Sequence, residues 1–368
     1  MSTHVAQERV RNFSAGPAVL PLPVLERIRD EMVCFPGAGA SVLELSHRSK
    51  HYVEIQEQAN ARLKRLLGIS DSHEVLFLQG GARLQFSMVP MNLLRGQANA
   101  AQYIVTGTWG KGAAKEAARE GQVDIIFDGA ETNYDHFPAA DSLSLNPDAA
   151  YVHLTSNETI QGVQLKTDLE TEAPLICDSS SDFLCRPYDI SRYGMIYACA
   201  QKNAGPAGVT AVVIKKELLD RSPDDLPGYL NYNSHASADS MWNTPPTFAV
   251  YVMGLVAEWL EDTIGGLDKM LDLNQQKCKL LYDVLDAFPE FYIGHAAKTD
   301  RSLMNVTFRF ANEEMQSDFI ASAASHGLEN LKGHRSVGGI RASIYNAMPL
   351  EGVQELADFM KHFAEKHA

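Results

Sequence analysis

The chain has 368 residues, 45% of them hydrophobic and 21% charged, a balance that supports a sizeable buried core and excludes a disordered chain. The 32 basic residues against 46 acidic ones leave a net charge of −14, which excludes nucleic-acid and anionic-membrane partners that need a basic footprint. Small anionic substrates stay open, because they respond to local arginines and not to the total charge.

The opening MSTHVAQERVRNF carries no apolar signal core, and no stretch approaches the uninterrupted length of a spanning helix, so a cytoplasmic protein is expected. Between residues 75 and 215, seven β-type runs (VLFLQ, QYIVTG, VDIIFDG, YVHLTS, PLICDSS, MIYACA and TAVVIKK) alternate with helical or loop segments. This pattern predicts an α/β fold whose mostly parallel, seven-stranded sheet is sandwiched by helices, since strands covered on both faces read as nearly continuous apolar runs. From about Pro246 the spacing turns helical, first in FAVYVMGLVAEWLEDTI and then from Leu267 to Phe288, with Gly265-Gly266 as a hinge between them. LMNVTFRF, EEMQSDFIASAASHG, RASI and a final helix from Leu350 complete a smaller α+β unit. The expected domains are 16–264 and 265–368, with residues 1–15 packing on the smaller one.

Ligands of such sheets collect beyond the C-terminal ends of the strands, so the polar residues after each run are the candidates. IYACAQKNAGPAG places Lys202 directly after a strand, with Gly205, Pro206 and Gly208 shaping a turn. On this stretch alone, an exposed lysine before a turn is the better reading; the other reading is a lysine that holds a carbonyl cofactor as a Schiff base. Three further segments tip the balance. Asp178 closes another apolar run, where a carboxylate suits a protonated pyridine nitrogen. QGGAR, Gln79 to Arg83, ends a strand and opens a helix, the arrangement that binds phosphate through backbone N–H groups, and its glycine spacing does not give the dinucleotide fingerprint. Trp109 in VTGTWGKG offers an indole for stacking on a flat ring. The five cysteines form no CxxC pair and are expected to be reduced and packed, and the NET and NVT triplets are chance matches to a glycosylation acceptor.

FSAGPAVLP, ELSHRSK, LQGGAR, TWGKGAAKEA, NETIQG, DSSSDFLCRP, QKNAGPAG, WNTPPTFAVY and GHRSVGGIRASIYNAM run in order from about residue 12 to residue 348. Together they resemble the phosphoserine aminotransferase family, class V enzymes of fold type I that use pyridoxal 5'-phosphate. The resemblance implies that Lys202 carries the cofactor and Asp178 pairs with its ring nitrogen. Trp109 would stack on the ring and Thr159 would bond its phenolic oxygen, while Ala82, Arg83 and Gln201 line the phosphate pocket. Asn243 and Thr244 would arrive from the neighbouring subunit of a homodimer. For substrates, Arg341 would take the α-carboxylate, and His47 and Arg48 from the partner, with Arg83, His334 and Arg335, would take the second anion.

The implied reaction moves an amino group from L-glutamate to 3-phosphohydroxypyruvate, giving 2-oxoglutarate and O-phospho-L-serine in L-serine biosynthesis, with pyridoxine biosynthesis as a further setting. Ala82 stands where some relatives have glycine, Cys199 replaces another small residue, and Ala15 replaces a substrate-touching serine of some relatives. A serine- or alanine-glyoxylate aminotransferase is the nearest alternative, and the surplus of His and Arg in the two HRS segments argues against it. A cysteine desulfurase lacks its loop cysteine, a Rossmann oxidoreductase lacks its fingerprint, and a non-catalytic scaffold would not need every chemical residue. His47 and His51 have helical metal spacing but no third ligand nearby, so no metal is expected.

Overall fold

The structure is a computed structural model that describes residues 9–367; the first eight residues of the segment expected to pack on the small domain lie outside the described residues. The described chain begins with β1 (Arg11–Asn12), α1 (Leu22–Glu31) and α2 (Lys50–Leu66), and then alternates. Strand β2 (His73–Leu78) leads to α3 (Gly81–Leu93), β3 (Ala101–Val105) to α4 (Thr108–Ala117), and β4 (Val123–Asp128) to β5 (Val152–Thr155). A small hairpin, β6 (Asn157–Glu158) and β7 (Val163–Gln164), precedes β8 (Leu175–Asp178), β9 (Tyr193–Cys199) and β10 (Thr210–Lys215).

All seven β-type runs enter one sheet of order β2-β10-β9-β8-β5-β3-β4. The pairs from β9 through β4 are parallel, and β10 alone runs antiparallel to both of its neighbours. Every residue of β9 is buried, which explains the unbroken apolar run YGMIYAC: successive side chains point to opposite faces and both faces are covered. Ile104, Cys177 and Ile196 join the core under α2, whereas their neighbours Tyr103, Ile176 and Tyr197 join the core under α3 and α4. The edge strand β4 is the exception, with Asp124 and Ile125 exposed.

Helices α5 (Lys216–Leu219), α6 (Tyr232–Ser237) and α7 (Thr247–Glu258) follow, and α7 continues into a π-helical turn, Trp259–Ile264, that ends at Gly265-Gly266. Beyond it lie α8 (Leu267–Ala287), β11 (Tyr292–Gly294), β12 (Asn305–Phe310), α9 (Met315–Ser325), β13 (Leu328–Glu329), β14 (Ile340–Ser343) and α10 (Leu350–His367). The antiparallel sheet β11-β12-β14 packs its Phe308 and Phe310 with Phe319 of α9, Leu281 of α8 and Phe363 of α10 in a separate core. Strand β1 pairs in parallel with β13, Arg11 opposite Leu328, and Phe13 is buried in the same core. Among the described residues, no helix is long and apolar enough to cross a membrane.

Candidate active site

The C-terminal ends of β2, β3, β5, β8 and β9 deliver their following residues to one edge of the main sheet. Beyond β9 the chain turns at once, and Lys202 points its Nζ at Thr159, donating to Oγ1 at 2.7 Å. The same nitrogen stands 5.2 Å from the centre of the Trp109 ring. Asp178, the last residue of β8, is 3% exposed, and its Oδ1 accepts from the Ser180 N–H at 3.0 Å. Burial pushes the Asp178 carboxyl above the usual carboxylate range, and the nearby Lys202 cation is the largest opposing influence.

Ala82, Arg83, Trp109, Asp178, Gln201 and Lys202 line one cavity of about 200 Å³. Its floor is the first turn of α3, where Gly80, at φ 86°, adopts the left-handed backbone that a side chain rarely tolerates. The first N–H groups of a helix lack internal partners and favour an anion. Arg83 stands over the Trp109 ring at 5.2 Å and has no carboxylate partner among the described residues. The indole Nε1 of Trp109 is buried with no partner there either. A buried acid, an amine, an indole face and an anion-binding helix start around one small cavity fit a flat, phosphate-bearing pyridine aldehyde.

The remaining sequence candidates lie outside this cavity. Asn243 donates to Gln79 Oε1 at 2.9 Å, and Gln79 donates to the Thr244 carbonyl at 3.3 Å, so the WNTPP segment is tied to the end of β2, just before the Gly80-Gly81 turn. His47 and Arg48 precede α2, with Arg48 exposed. His334 and Arg335 sit in the loop before β14, where the Ser336 N–H donates to His334 Nδ1 at 3.3 Å. Arg341, within β14, is partly buried, and that desolvation pulls its guanidinium below the usual arginine range.

Two features escaped the sequence reading. Glu158, the residue before Thr159, is completely buried, and its carboxylate accepts from the N–H groups of Trp109 at 3.1 Å and Gly110 at 2.9 Å. Burial pushes its carboxyl up to about 7, against the pull of those two donors. No signal in the sequence marks it, because Glu158 lies in the polar run TSNETIQG, where an acid reads as an ordinary turn residue. The second feature is the N-terminal segment, which runs beneath the lysine turn: Ala18 N–H donates to the Gln201 carbonyl at 2.9 Å, and Tyr345 donates to the Ala15 carbonyl at 2.8 Å.

A lysine and an acid at neighbouring strand ends, above a helix start, are what the resemblance to fold-type I aminotransferases implies, and the sequence model described as Aminotransferase class-V matches residues 10–356. The phosphoserine aminotransferase of Rhodopirellula baltica is 57% identical over 363 residues, 98% of this chain and 96% of that one. The solved phosphoserine aminotransferase of Bacillus circulans subsp. alkalophilus superposes with a TM-score of 0.96 at 45% identity, covering 98% of this chain and all of that one. The pyridoxal-phosphate-bound phosphoserine aminotransferase of Trichomonas vaginalis gives a TM-score of 0.90 at 40% identity, over 96% of this chain and 100% of that one. The chain belongs to the phosphoserine aminotransferase family of class V, pyridoxal-phosphate-dependent transaminases.

Proposed function

We propose that this chain transfers the amino group of L-glutamate to 3-phosphohydroxypyruvate, yielding 2-oxoglutarate and O-phospho-L-serine for L-serine biosynthesis, as a cytoplasmic homodimer with shared sites. The observation that carries the reading is the Lys202 amine, hydrogen-bonded to Thr159 over the Trp109 ring, in one cavity with buried Asp178. Pyridoxal phosphate, when bound, supplies an aldehyde for amine exchange and a ring that takes up negative charge as the α-proton leaves. Lys202, whose amine would hold the group, would serve as the general base that moves the α-proton. Asp178 would hold a proton on the ring nitrogen, and that cation would offset the cost of burying its own charge. Thr159 would bond the phenolic oxygen, Trp109 would cover one face, and Ala82, Arg83 and Gln201 would hold the phosphate over the start of α3.

Both substrates carry an α-carboxylate and a second anion. Arg341, desolvated and without an acidic partner among the described residues, suits the first. Arg83, His334 and Arg335, joined by His47 and Arg48 of the partner subunit, suit the second. Asn243 and Thr244 lie outside the cavity of their own chain, which supports their serving the neighbouring one. The separate cores support reading two domains close to 16–264 and 265–368, with Phe13 of the N-terminal segment on the smaller, although Leu267 and Met270 at the start of α8 pack in the larger core.

Borohydride reduction of the loaded protein followed by peptide mapping tests the centre of this reading. The expected adduct lies on Lys202, the Lys202→Ala variant shows none, and glutamate bleaches the parent's visible band. In half-reactions, phosphorylated and dicarboxylic oxo acids should restore the band faster than pyruvate does. An adduct on another lysine, or equal rates for pyruvate and the phosphorylated acid, overturns it.

A further inference from the structure

We propose that Glu158 is a positioning residue that aims the Trp109 indole at the cofactor face. The proposal rests on the reading that Trp109 covers the ring, and it starts from the hairpin β6–β7. This hairpin sends adjacent side chains to two different parts of the site. Thr159 takes the Lys202 amine at 2.7 Å, while Glu158 takes the backbone of α4, with Oε2 on the Trp109 N–H at 3.1 Å and Oε1 on the Gly110 N–H at 2.9 Å. Gln161, from the same hairpin, donates to Thr108 Oγ1 at 3.0 Å, so the whole first turn of α4 is tied to it.

The fit leaves no slack. A Cβ built on Gly107, the residue before α4, would fall 2.3 Å from Glu158 Cδ, so the carboxylate fills the space that a side chain would otherwise occupy. The indole has no polar tether, because Trp109 Nε1 is buried without a partner among the described residues. Its direction is therefore set by its own backbone, which Glu158 grips, and by the flanking cations of Arg83 and Lys202, each at 5.2 Å. A carboxylate at a helix start also matches the dipole and the free N–H donors there. Because one rigid two-residue unit fixes both the lysine and the indole, the gap between them is set before any ligand arrives.

The decisive test uses the full chain with Trp242→Phe and Trp259→Phe, so that Trp109 is its one tryptophan. In the cofactor-free protein at about pH 8.5, where the carboxyl is ionised, Glu158→Gln keeps the size of the side chain but turns an NH2 toward one of the two N–H donors. Acrylamide quenching of Trp109 should rise at least twofold. In the loaded protein, the visible circular dichroism per bound cofactor should fall by half or more. Glu158→Asp, which keeps the charge but is one methylene shorter, should lie between parent and Gln, and it is read in the same way should Glu158→Gln not fold. A merely structural role would lower the melting temperature and leave both signals at parental values, and that result overturns the proposal. If the reduced adduct were absent from Lys202, the catalytic reading would fall, while the quenching result would still decide how Trp109 is held.

Discussion

Glu158 illustrates how a single group can be read in energetic terms. Its folded pKa is raised to about 7 by burial, whereas its ordinary value is 4.5, so between these pH values the native protein holds a proton that the unfolded chain has lost. Stability from this source is fully present below 4.5 and is lost as pH rises through the folded pKa. The charged groups facing it are Asp178, which adds to the rise, and Lys202, which opposes it. Glu158→Gln cannot titrate, so for the cofactor-free protein the melting-temperature gap between parent and variant should shrink from about pH 5 to about pH 8, as the parent loses stability and the variant does not. A gap that stays constant across that range would mean that the carboxyl titrates as it does in the unfolded chain. The placement of Lys202, Asp178 and Trp109 was legible because each closes or follows a buried strand, where a polar residue stands out. Glu158 was not, because nothing in its spacing distinguishes a clamped acid from a turn residue, and the clamp itself lies on a helix that starts some fifty residues earlier in the chain.

At the level of elements, the seven strands were legible because both faces of the sheet are covered and the apolar runs are continuous. The antiparallel direction of β10 was not, since pairing direction leaves no trace in such runs. The hairpin β6–β7 was hidden for a related reason: two-residue strands are too short for alternation to register. Nor did helical periodicity reveal the lysine that joins two parts of the small unit. Lys277 of α8 is 2% exposed, and its Nζ shares its three N–H donors among the carbonyls of Ile344, Tyr345, Asn346 and Met348, which stand 2.8 to 3.3 Å away. That loop follows β14, the strand carrying Arg341, so α8 fixes the strand's exit. Removing the ammonium orphans several buried carbonyls at once, at about 1–3 kcal/mol for each group left unsatisfied. Lys277→Ala should therefore destabilise by about 3 kcal/mol or more, and Lys277→Met by nearly as much, because filling the volume does not satisfy the oxygens. Denaturant titration checks this, and full rescue by methionine would show that the lysine acts through its bulk.

On the scale of the molecule, the junction between the two sheets runs directly beneath the lysine turn. Asn346 is bonded within the protein there: its N–H donates to Asn203 Oδ1 at 2.8 Å and its Nδ2 to the Leu184 carbonyl at 2.8 Å, its Oδ1 accepts from Asn274 at 2.9 Å, and Asn157 donates to Asn305 Oδ1 at 2.7 Å. The small unit is thus bonded to residues beside Lys202 and Thr159, and Arg341 is carried by the strand that ends in this network. Among the described residues His47 and Arg48 have no such link to the cavity, and the proposed sharing of the site between two copies would account for them. The consequence can be tested without a dimer structure. Lys202→Ala lacks the amine but keeps its His47 and Arg48, and the double variant His47→Ala/Arg48→Ala keeps the amine but lacks the anion grip. Each homodimer should be nearly inactive. After unfolding and refolding an equal mixture, half of the dimers are mixed, and each mixed dimer holds one site with an intact Lys202 facing intact His47 and Arg48. Activity should then recover to about one quarter of the parental value per chain, the proportion that random pairing in a two-fold dimer gives. Sites built within single chains would leave the mixture as inactive as its components, since no shuffling of partners could unite the two intact halves.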